Sequence, residues 1–507
     1  MPINFIPNDP LARQGPAIRR KTPRPNRPAG VATYSYVPAP PAGVYDPGTA
    51  DFLFWQTREA ALAALATYED LSGKKIREWA RSTPRQRLNL VPNEGNDLNA
   101  YYNGQGISFF EYTTGTKTTY SGASTDVVAH EAGHALLDQS RPDLWSSFYT
   151  ETNAFHEAFG DCMAVLTAFA DRQTRTAVRK ILRRQNFVEA TAEDLSDGVK
   201  RELGAGHGAA QPRHARNNFR WELPTSLPSS GGPSVLSAEI HSFGRIFSGC
   251  FYDTILNILR DTIGAGKTPT AAQLRKAVRT AGSLLVQGAA EAPETVRFFQ
   301  SVGRTMILAD QEMNAGANRA AIHDAFQRHD IALGSAAMLA PTSALAGKAP
   351  TMRPGARQPL PSAGLADLRR RMGASPKERL FVRPGVIGGQ PVVRATHVRE
   401  VPLGQIDNKL KGVVAMVPEP VLVGAISRTS AILGELPDPT ASSNEVAAFV
   451  QTLLESNRIA FSTETARYGI KSATASDSRK RLPTHRVRET GGKKVLERVR
   501  FACGEWG

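Results

Sequence analysis

The chain has 507 residues, a formal net charge of +15 and 41% hydrophobic residues. That length suits about three domains of roughly 150 residues each, and the apolar content allows a sizeable core, so wholesale disorder is excluded. No stretch approaches the ~18 apolar residues of a membrane span. Three cysteines cannot build a disulfide framework, and the first residues lack a signal-peptide core, so we expect a cytoplasmic protein, with non-classical export as the alternative.

The predicted elements divide the chain into five parts of an α+β protein. Residues 1–50 are rich in Pro and Arg, which predicts an extended arm that does not pack. Residues 51–125 begin with a helical apolar repeat and continue with short strands between Gly and Asn turns, which predicts a β-rich lobe. Residues 126–333 are mostly helical by periodicity. Residues 334–364 form an Ala/Pro/Gly linker, and 365–507 form a small basic α/β domain of unknown role.

One segment of the helical part carries a pattern with clear chemical meaning. Residues 126–138 read DVVAHEAGHALLD and hold His130, Glu131 and His134 in an H-E-x-x-H arrangement. On a helix the two histidines lie one turn apart on the same face, so both imidazoles can reach one zinc ion. Glu131 lies beside that face, where a carboxylate can take a proton from a metal-bound water. The alternative is two unrelated helix histidines.

The next predicted helix, 151–169, offers the third ligand that zinc requires. It carries Glu157 and Asp161 at positions i and i+4. Glu157 can complete a His-His-Glu set, and Asp161 can accept the second ring N–H of a zinc histidine and so fix its tautomer. Glu157 alone would also fit a solvated helix carboxylate, but its apolar neighbours favour the ligand role. His156 points about 100° away around the helix, and we interpret it as structural.

Four separated segments occur in an order that is typical of one enzyme family. They are NAYYNG at 99–104, YSG at 120–122 leading into the H-E-x-x-H helix, ETNAFHEAFGD at 151–161, and EIHSFG at 239–244. The chain from about residue 55 to 333 therefore resembles the thermolysin family of zinc metallopeptidases, the gluzincins. The 365–507 domain resembles no family that we recognise.

The resemblance implies a fold, an activity and a set of roles. The fold would have a β-rich N-terminal lobe, a helical C-terminal lobe and the zinc helix between them. The activity would be that of a zinc-dependent metalloendopeptidase acting on a protein or peptide substrate. His130, His134 and Glu157 would bind one zinc ion, and Glu131 would be the general base. His241 would donate a hydrogen bond to the tetrahedral oxyanion, a contact that strengthens only in the transition state.

The resemblance also implies a substrate-binding set. Asn99 and Ala100 would hold the peptide by strand addition. The tyrosine that the family usually has shortly before the third segment is replaced by Phe148, so either Tyr149 is the candidate phenol or the phenol is missing. Arg216, in HARNNFRW, is the candidate for the arginine near the residue after the scissile bond, with a solvated arginine as the alternative.

Two departures from the family pattern affect what we expect. Leu236 stands where the family has an aspartate that orients the second histidine, so Glu239 would have to orient His241, or nothing does. Asp126 matches a family calcium ligand, but the other acidic residues of that site are absent. We therefore expect one catalytic zinc ion and no double calcium site.

Two other classes of function stay open. The chain could be a catalytically silent binding or scaffold protein that keeps the peptidase fold. It could also be a nucleic-acid-associated protein acting through its basic C-terminal domain, where 479–500 reads RKRLPTHRVRETGGKKVLERVR. A solvated basic strand face is the simpler interpretation of that segment. The 365–507 domain could recruit substrate, target an enzyme, or inhibit it until the linker is cut.

Overall fold

The protein is an α+β chain with several small sheets, as the sequence predicts at this level. The structure is a computed structural model that describes residues 1–13, 15–36, 39–334, 362–375, 380–387, 390–424, 431–432, 436–461 and 482–502. Nearly all of the predicted linker lies outside the described residues. Within the described part of the chain, no helix is both long enough and apolar enough to cross a bilayer.

Helices dominate the middle of the chain, and short strands dominate its two ends. The helices are α1 Ala50–Ser72, α2 Thr125–Ser140, α3 Thr150–Ala170, α4 Arg172–Val178, α5 Glu193–Leu203, α6 Ile240–Ile263, α7 Ala271–Glu291, α8 Phe298–Asn314, α9 Arg319–Arg328, α10 Ser362–Arg371 and α11 Pro439–Glu455. The strands up to the polar insertion are β1 Ile3–Phe5, β2 Arg19–Lys21, β3 Thr33–Ser35, β4 Arg87–Val91, β5 Ala100–Tyr102, β6 Gly106–Phe109, β7 Glu111–Thr114, β8 Lys117–Tyr120, β9 Ala190–Thr191 and β10 Arg213–His214. The C-terminal strands are β11 Leu380–Ile387, β12 Gln390–Pro402, β13 Val413–Gly424, β14 Ala431–Ile432, β15 Ile459–Ala460, β16 His485–Thr490, β17 Lys493–Arg498 and β18 Phe501–Ala502.

The N-terminal arm packs against the rest of the protein, so the prediction of an arm that does not pack is wrong for residues 1–50. Strands β1 and β2 pair with each other, and β3 joins a five-stranded sheet beside β4. Ile3 and Tyr34 are buried. The arginines of the arm also have buried partners, since the main-chain N–H and the guanidinium of Arg24 both donate to Glu59. Composition showed the Pro and Arg content but not these partners.

Helices α2, α3 and α6 form the centre of the main hydrophobic core. Every residue of α2 from Thr125 to Asp138 is buried, and so is nearly all of α3. Helix α2 ends at Ser140 because Pro142 follows and cannot continue a helix. Helix α3 packs against α2 on one side and α6 on the other. Histidines on α2 and α6 can therefore face carboxylates on α3.

The C-terminal domain is built on a mixed sheet covered by α11, in agreement with the predicted α/β composition. Its strand order is β11-β12-β13-β17-β16-β15, with β14 also paired to β13. Its core includes Phe449 of α11 together with Phe148 and Tyr149 from the loop before α3, so the sheet and α11 pack directly against that loop. The last strand, β18, departs from the prediction, because it leaves this domain and pairs with β5 in the N-terminal sheet.

Candidate metal centre

The three predicted metal ligands lie together where α2 packs against α3. Ligand atoms of His130, His134 and Glu157 all lie within 4.8 Å of one another, and among the described residues this is the one group of three His, Cys, Asp or Glu side chains with that spacing. Glu157 Oε2 lies 3.3 Å from His130 Nε2 and 3.6 Å from His134 Nε2. The two imidazole nitrogens and the carboxylate therefore converge on one point.

The donor set suits a divalent metal ion such as zinc. Two imidazoles and one carboxylate are a common ligand set of catalytic zinc sites, which keep a fourth position open. All three side chains are at most 1% exposed. His134 Nε2 and Glu157 Oε1 have no hydrogen-bond partner among the described residues. Buried polar atoms are normally paired, so these two atoms fit ligands for an ion.

Asp161 orients His130 as the sequence predicts. His130 Nδ1 lies 2.9 Å from Asp161 Oδ1, so a proton on Nδ1 would be donated to this carboxylate and the Nε2 lone pair would be left for a metal ion. Arg213, on β10, donates to both oxygens of Asp161, and its guanidinium also lies 3.4 Å from His130 Nδ1. Burial would raise the pKa of Asp161, but the charge of Arg213 and the His130 hydrogen bond hold it at about 2.

Two glycines allow this close packing of helices. A Cβ atom on Gly160 would lie 2.6 Å from His130 Nδ1, so a larger residue would push the ring out of place. A Cβ on Gly244 of α6 would lie 2.8 Å from the carbonyl oxygen of Ala154 on α3. Gly244 therefore lets α6 approach α3 closely enough for His241 to reach Glu157.

Glu131 is the buried acid beside the three ligand side chains. Its side chain is 0% exposed, and neither carboxylate oxygen has a hydrogen-bond partner among the described residues. Burial raises its pKa to about 8. An unpaired carboxylate in a dry site has its proton affinity tuned toward neutral pH, which suits a group that accepts and returns a proton.

His241 and Glu239 lie together at the N-terminus of α6. Glu239 caps the helix by accepting from the main-chain N–H groups of His241 and Ser242, and its Oε1 lies 2.8 Å from His241 Nδ1. Glu239 thus orients His241, which is the first of the two outcomes left open by the missing aspartate. His241 Nε2 lies 2.9 Å from Glu157 Oε2. Burial would lower the pKa of His241, but Glu157 and Glu239 raise it well above its usual value.

The predicted substrate-binding residues lie in different places. Asn99 and Ala100 are buried at the start of β5, whose partners are β6 and β18. The hydroxyl oxygens of Tyr149 and of Ser442 on α11 are hydrogen-bonded at 2.7 Å, so the Tyr149 hydroxyl contacts the C-terminal domain. Arg216 donates its main-chain N–H to Glu189. The substrate-binding roles of these four residues stay predictions.

Two residues at the centre were missed by the sequence analysis. Arg213 lies three positions before the arginine that we selected, in the same polar insertion, where no periodicity shows which side chain faces the core. Phe501 stacks on the ring of His134 with centroids 4.8 Å apart. Its distance in sequence from β5 hides this contact, because a single sequence carries no signal of which strands pair.

The structure also describes the contacts of Asp126 and of the basic C-terminal segment. Asp126 accepts from the Ala192 main-chain N–H and bonds to the Ser124 hydroxyl, and the absence of a double calcium site stays a prediction. In the basic C-terminal segment, Arg486 pairs with Glu497, and Arg498 is buried. Part of the charge that invited a nucleic-acid partner is therefore neutralised or hidden.

Comparisons with known proteins do not identify a relative of this chain. No family model matches the chain, and no curated protein matches it. A function is therefore inferred from the geometry of the centre and from the sequence segments that form it.

Proposed function

We propose that this protein is a zinc-dependent metalloendopeptidase with a thermolysin-like two-lobe fold. The observation that carries the proposal is the buried convergence of His130, His134 and Glu157 beside the unpaired carboxylate of Glu131. The order of the four sequence segments supports it independently. A zinc ion bound there would polarise a water molecule and the scissile carbonyl.

Other side chains at the centre would each have a defined role in peptide hydrolysis. Glu131 would take the proton of the attacking water and return it to the leaving amine. His241 would donate from Nε2 to the oxyanion, while Glu239 keeps its ring in place. Asp161 and Arg213 would hold the His130 tautomer. Loss of any of these side chains is expected to lower turnover more than substrate binding.

A matched pair of glutamate substitutions tests this proposal. Glu131→Gln keeps the size of the side chain and removes the base, and Glu312→Gln makes the same change at an exposed position of α8. With zinc present, we expect Glu131→Gln to bind the metal as the parent chain does and to lose at least ~100-fold in the rate of casein hydrolysis. Glu312→Gln should lose nothing. Equal rates in the two variants would refute the role of Glu131.

The opposing class of function has one specific prediction. A silent scaffold would bind zinc and peptide without hydrolysis in every form of the chain. Hydrolysis by Glu131→Gln and Glu312→Gln must therefore be compared in a chain whose metal centre is accessible.

A further inference from the structure

Strand β18 occupies the edge of the sheet nearest to the metal centre. Phe501 pairs with Tyr102 and Ala502 with Tyr101, in antiparallel register along β5. Strand β5 begins at Ala100, directly after Asn99, and these are the residues that we propose to hold a substrate peptide. An extended peptide binds an open sheet edge through the same main-chain hydrogen bonds. Strand β18 thus lies where such a peptide would bind.

Phe501 anchors this strand in an aromatic box that includes a metal ligand. Its ring stacks on His156 with centroids 4.1 Å apart and on His134 at 4.8 Å, and it meets Trp145 edge to face at 5.4 Å. The guanidinium of Arg498 covers the ring at 4.1 Å. Phe501 is only 1% exposed. A buried aromatic side chain with four such neighbours is a strong anchor.

Arg498 ties the same segment to the helical lobe. It donates to the Trp145 carbonyl and to the Asn153 side chain on α3, one turn before Glu157. A buried guanidinium is costly unless its donors are paired, so these bonds fix where the strand leaves the C-terminal domain. The strand is therefore held by the contacts of Arg498 before it and by the box around Phe501.

The centre is closed while this strand is in place. The three ligands and Glu131 are at most 1% exposed, and His241 is 6% exposed. Phe501 and Ala502 also form part of the wall of a cavity lined by Glu239 and Ile240 at the start of α6. An endopeptidase must admit an extended polypeptide to its metal ion, and this arrangement leaves no room for one.

We propose that residues 498–502 act as an intramolecular pseudosubstrate that seals the metal centre, so that the full chain is a latent form. This inference rests on the proposed function and specifies its regulation. It also gives the class of peptide that the open site would accept, namely an extended segment with an aromatic side chain in the box now filled by Phe501. Release of β18 from β5 opens both the sheet edge and the box.

Four chains and two peptides test the proposal. Phe501→Ala removes the anchor, and a stop after Arg500 removes the strand. A stop after Ala502 keeps the strand, and Phe461→Ala makes the matched change at an exposed phenylalanine. The probes are fluorescently labelled Arg-Val-Arg-Phe-Ala, which is the sequence of 498–502, and Arg-Val-Arg-Ala-Ala. Peptide binding is measured by anisotropy and casein hydrolysis by product release, both with zinc present.

We expect the two opened chains to hydrolyse casein roughly 10- to 150-fold faster than the full chain, because burial of one aromatic side chain biases an equilibrium by about that factor. They should bind the Phe peptide at least ~10-fold more tightly than the Ala peptide. The Phe peptide should inhibit them in trans. The stop after Ala502 and Phe461→Ala should behave as the full chain.

The outcomes separate this inference from the proposed function. If the full chain and the opened chains bind the peptide equally and cleave equally, or if no chain binds the peptide, the pseudosubstrate is refuted. If the opened chains bind the Phe peptide but hydrolyse nothing, the seal stands and the peptidase activity fails. Should Phe501→Ala unfold, as a thermal melt would reveal, the stop after Arg500 decides.

Discussion

The substitution Gly160→Ala gives the most direct physical test of how the centre is built. The added Cβ would lie 2.6 Å from His130 Nδ1 and 2.7 Å from Cε1. Ordinary contact begins near 3.4 Å, so the ring must move by about 0.8 Å. His130 Nδ1 already lies 2.9 Å from Asp161 Oδ1, and a shift of that size would lengthen or break this hydrogen bond. The ring cannot swing aside freely because it is buried.

Two opposing terms set the effect of Gly160→Ala on stability. Alanine in a helix interior is favoured over glycine by about 1 kcal/mol. Overpacking of a buried contact costs typically ~1–3 kcal/mol. The net loss of unfolding free energy is therefore small, about 0–2 kcal/mol. Metal affinity should also fall, by roughly 10- to 100-fold, because the His130 ring is displaced from the group that orients it.

The assay is zinc competition against a chromophoric chelator, with a thermal melt of the same samples. Gly206→Ala is the matched control, since a Cβ on Gly206 would meet no atom within 4 Å. It should change neither quantity. If Gly160→Ala bound zinc as tightly as the parent chain, the account of how His130 is positioned would be refuted.

Three further predictions follow from other buried groups. Burial raises the pKa of Glu294 to about 8, so the folded state holds a proton that the unfolded state releases near pH 4.5. Stability should fall as pH rises from about 4.5 to 8, by up to ~5 kcal/mol from this group, and Glu294→Gln should remove this part of the slope in denaturant titrations while exposed Glu312→Gln keeps it. Arg141→Met should lower the unfolding free energy by ~3–5 kcal/mol, because fully buried Arg141 donates to two main-chain carbonyls and a carboxylate. Arg213→Gln should weaken zinc binding roughly tenfold in chelator competition, because it releases Asp161.

Each of these three has a clear contrary result. A stability profile of Glu294→Gln that parallels the parent chain would show that another group titrates in that window; Asp143, Arg141 and Arg394 are the charged groups that act on Glu294. A loss below about 1 kcal/mol for Arg141→Met would mean that water replaces the lost donors. Unchanged zinc affinity in Arg213→Gln would mean that Asp161 holds His130 without help.

Local patterns in the sequence predicted the helical part of the centre well. Helical spacing placed His130 and His134 on one face of α2, and their juxtaposition with Glu157 and Asp161 of α3 needs only that two consecutive apolar helices pack together. Glu239 was one of two alternatives for orienting His241, and the capping geometry of α6 selected it. These relations depend on neighbours in sequence or on consecutive elements.

The sequence did not predict which segments far apart in the chain contact each other. The segment 498–504 has the apolar alternation of a strand, but nothing local indicates that Phe501 pairs with Tyr102 rather than with its own domain. The prediction that residues 1–50 do not pack was wrong for a similar reason, since arginines of this segment form ion pairs with glutamates on α1. Single-sequence patterns report propensity and periodicity, whereas these contacts are set by tertiary packing.

Zinc stoichiometry tests whether His130, His134 and Glu157 bind a metal ion. Elemental analysis after dialysis should be made on the parent chain, Glu157→Gln and Glu151→Gln, two matched changes of buried glutamates on α3. We predict about one zinc ion per chain in the parent and in Glu151→Gln, and its loss in Glu157→Gln. A parent chain that binds no zinc, or a Glu157→Gln chain that binds as much as Glu151→Gln, would contradict the account.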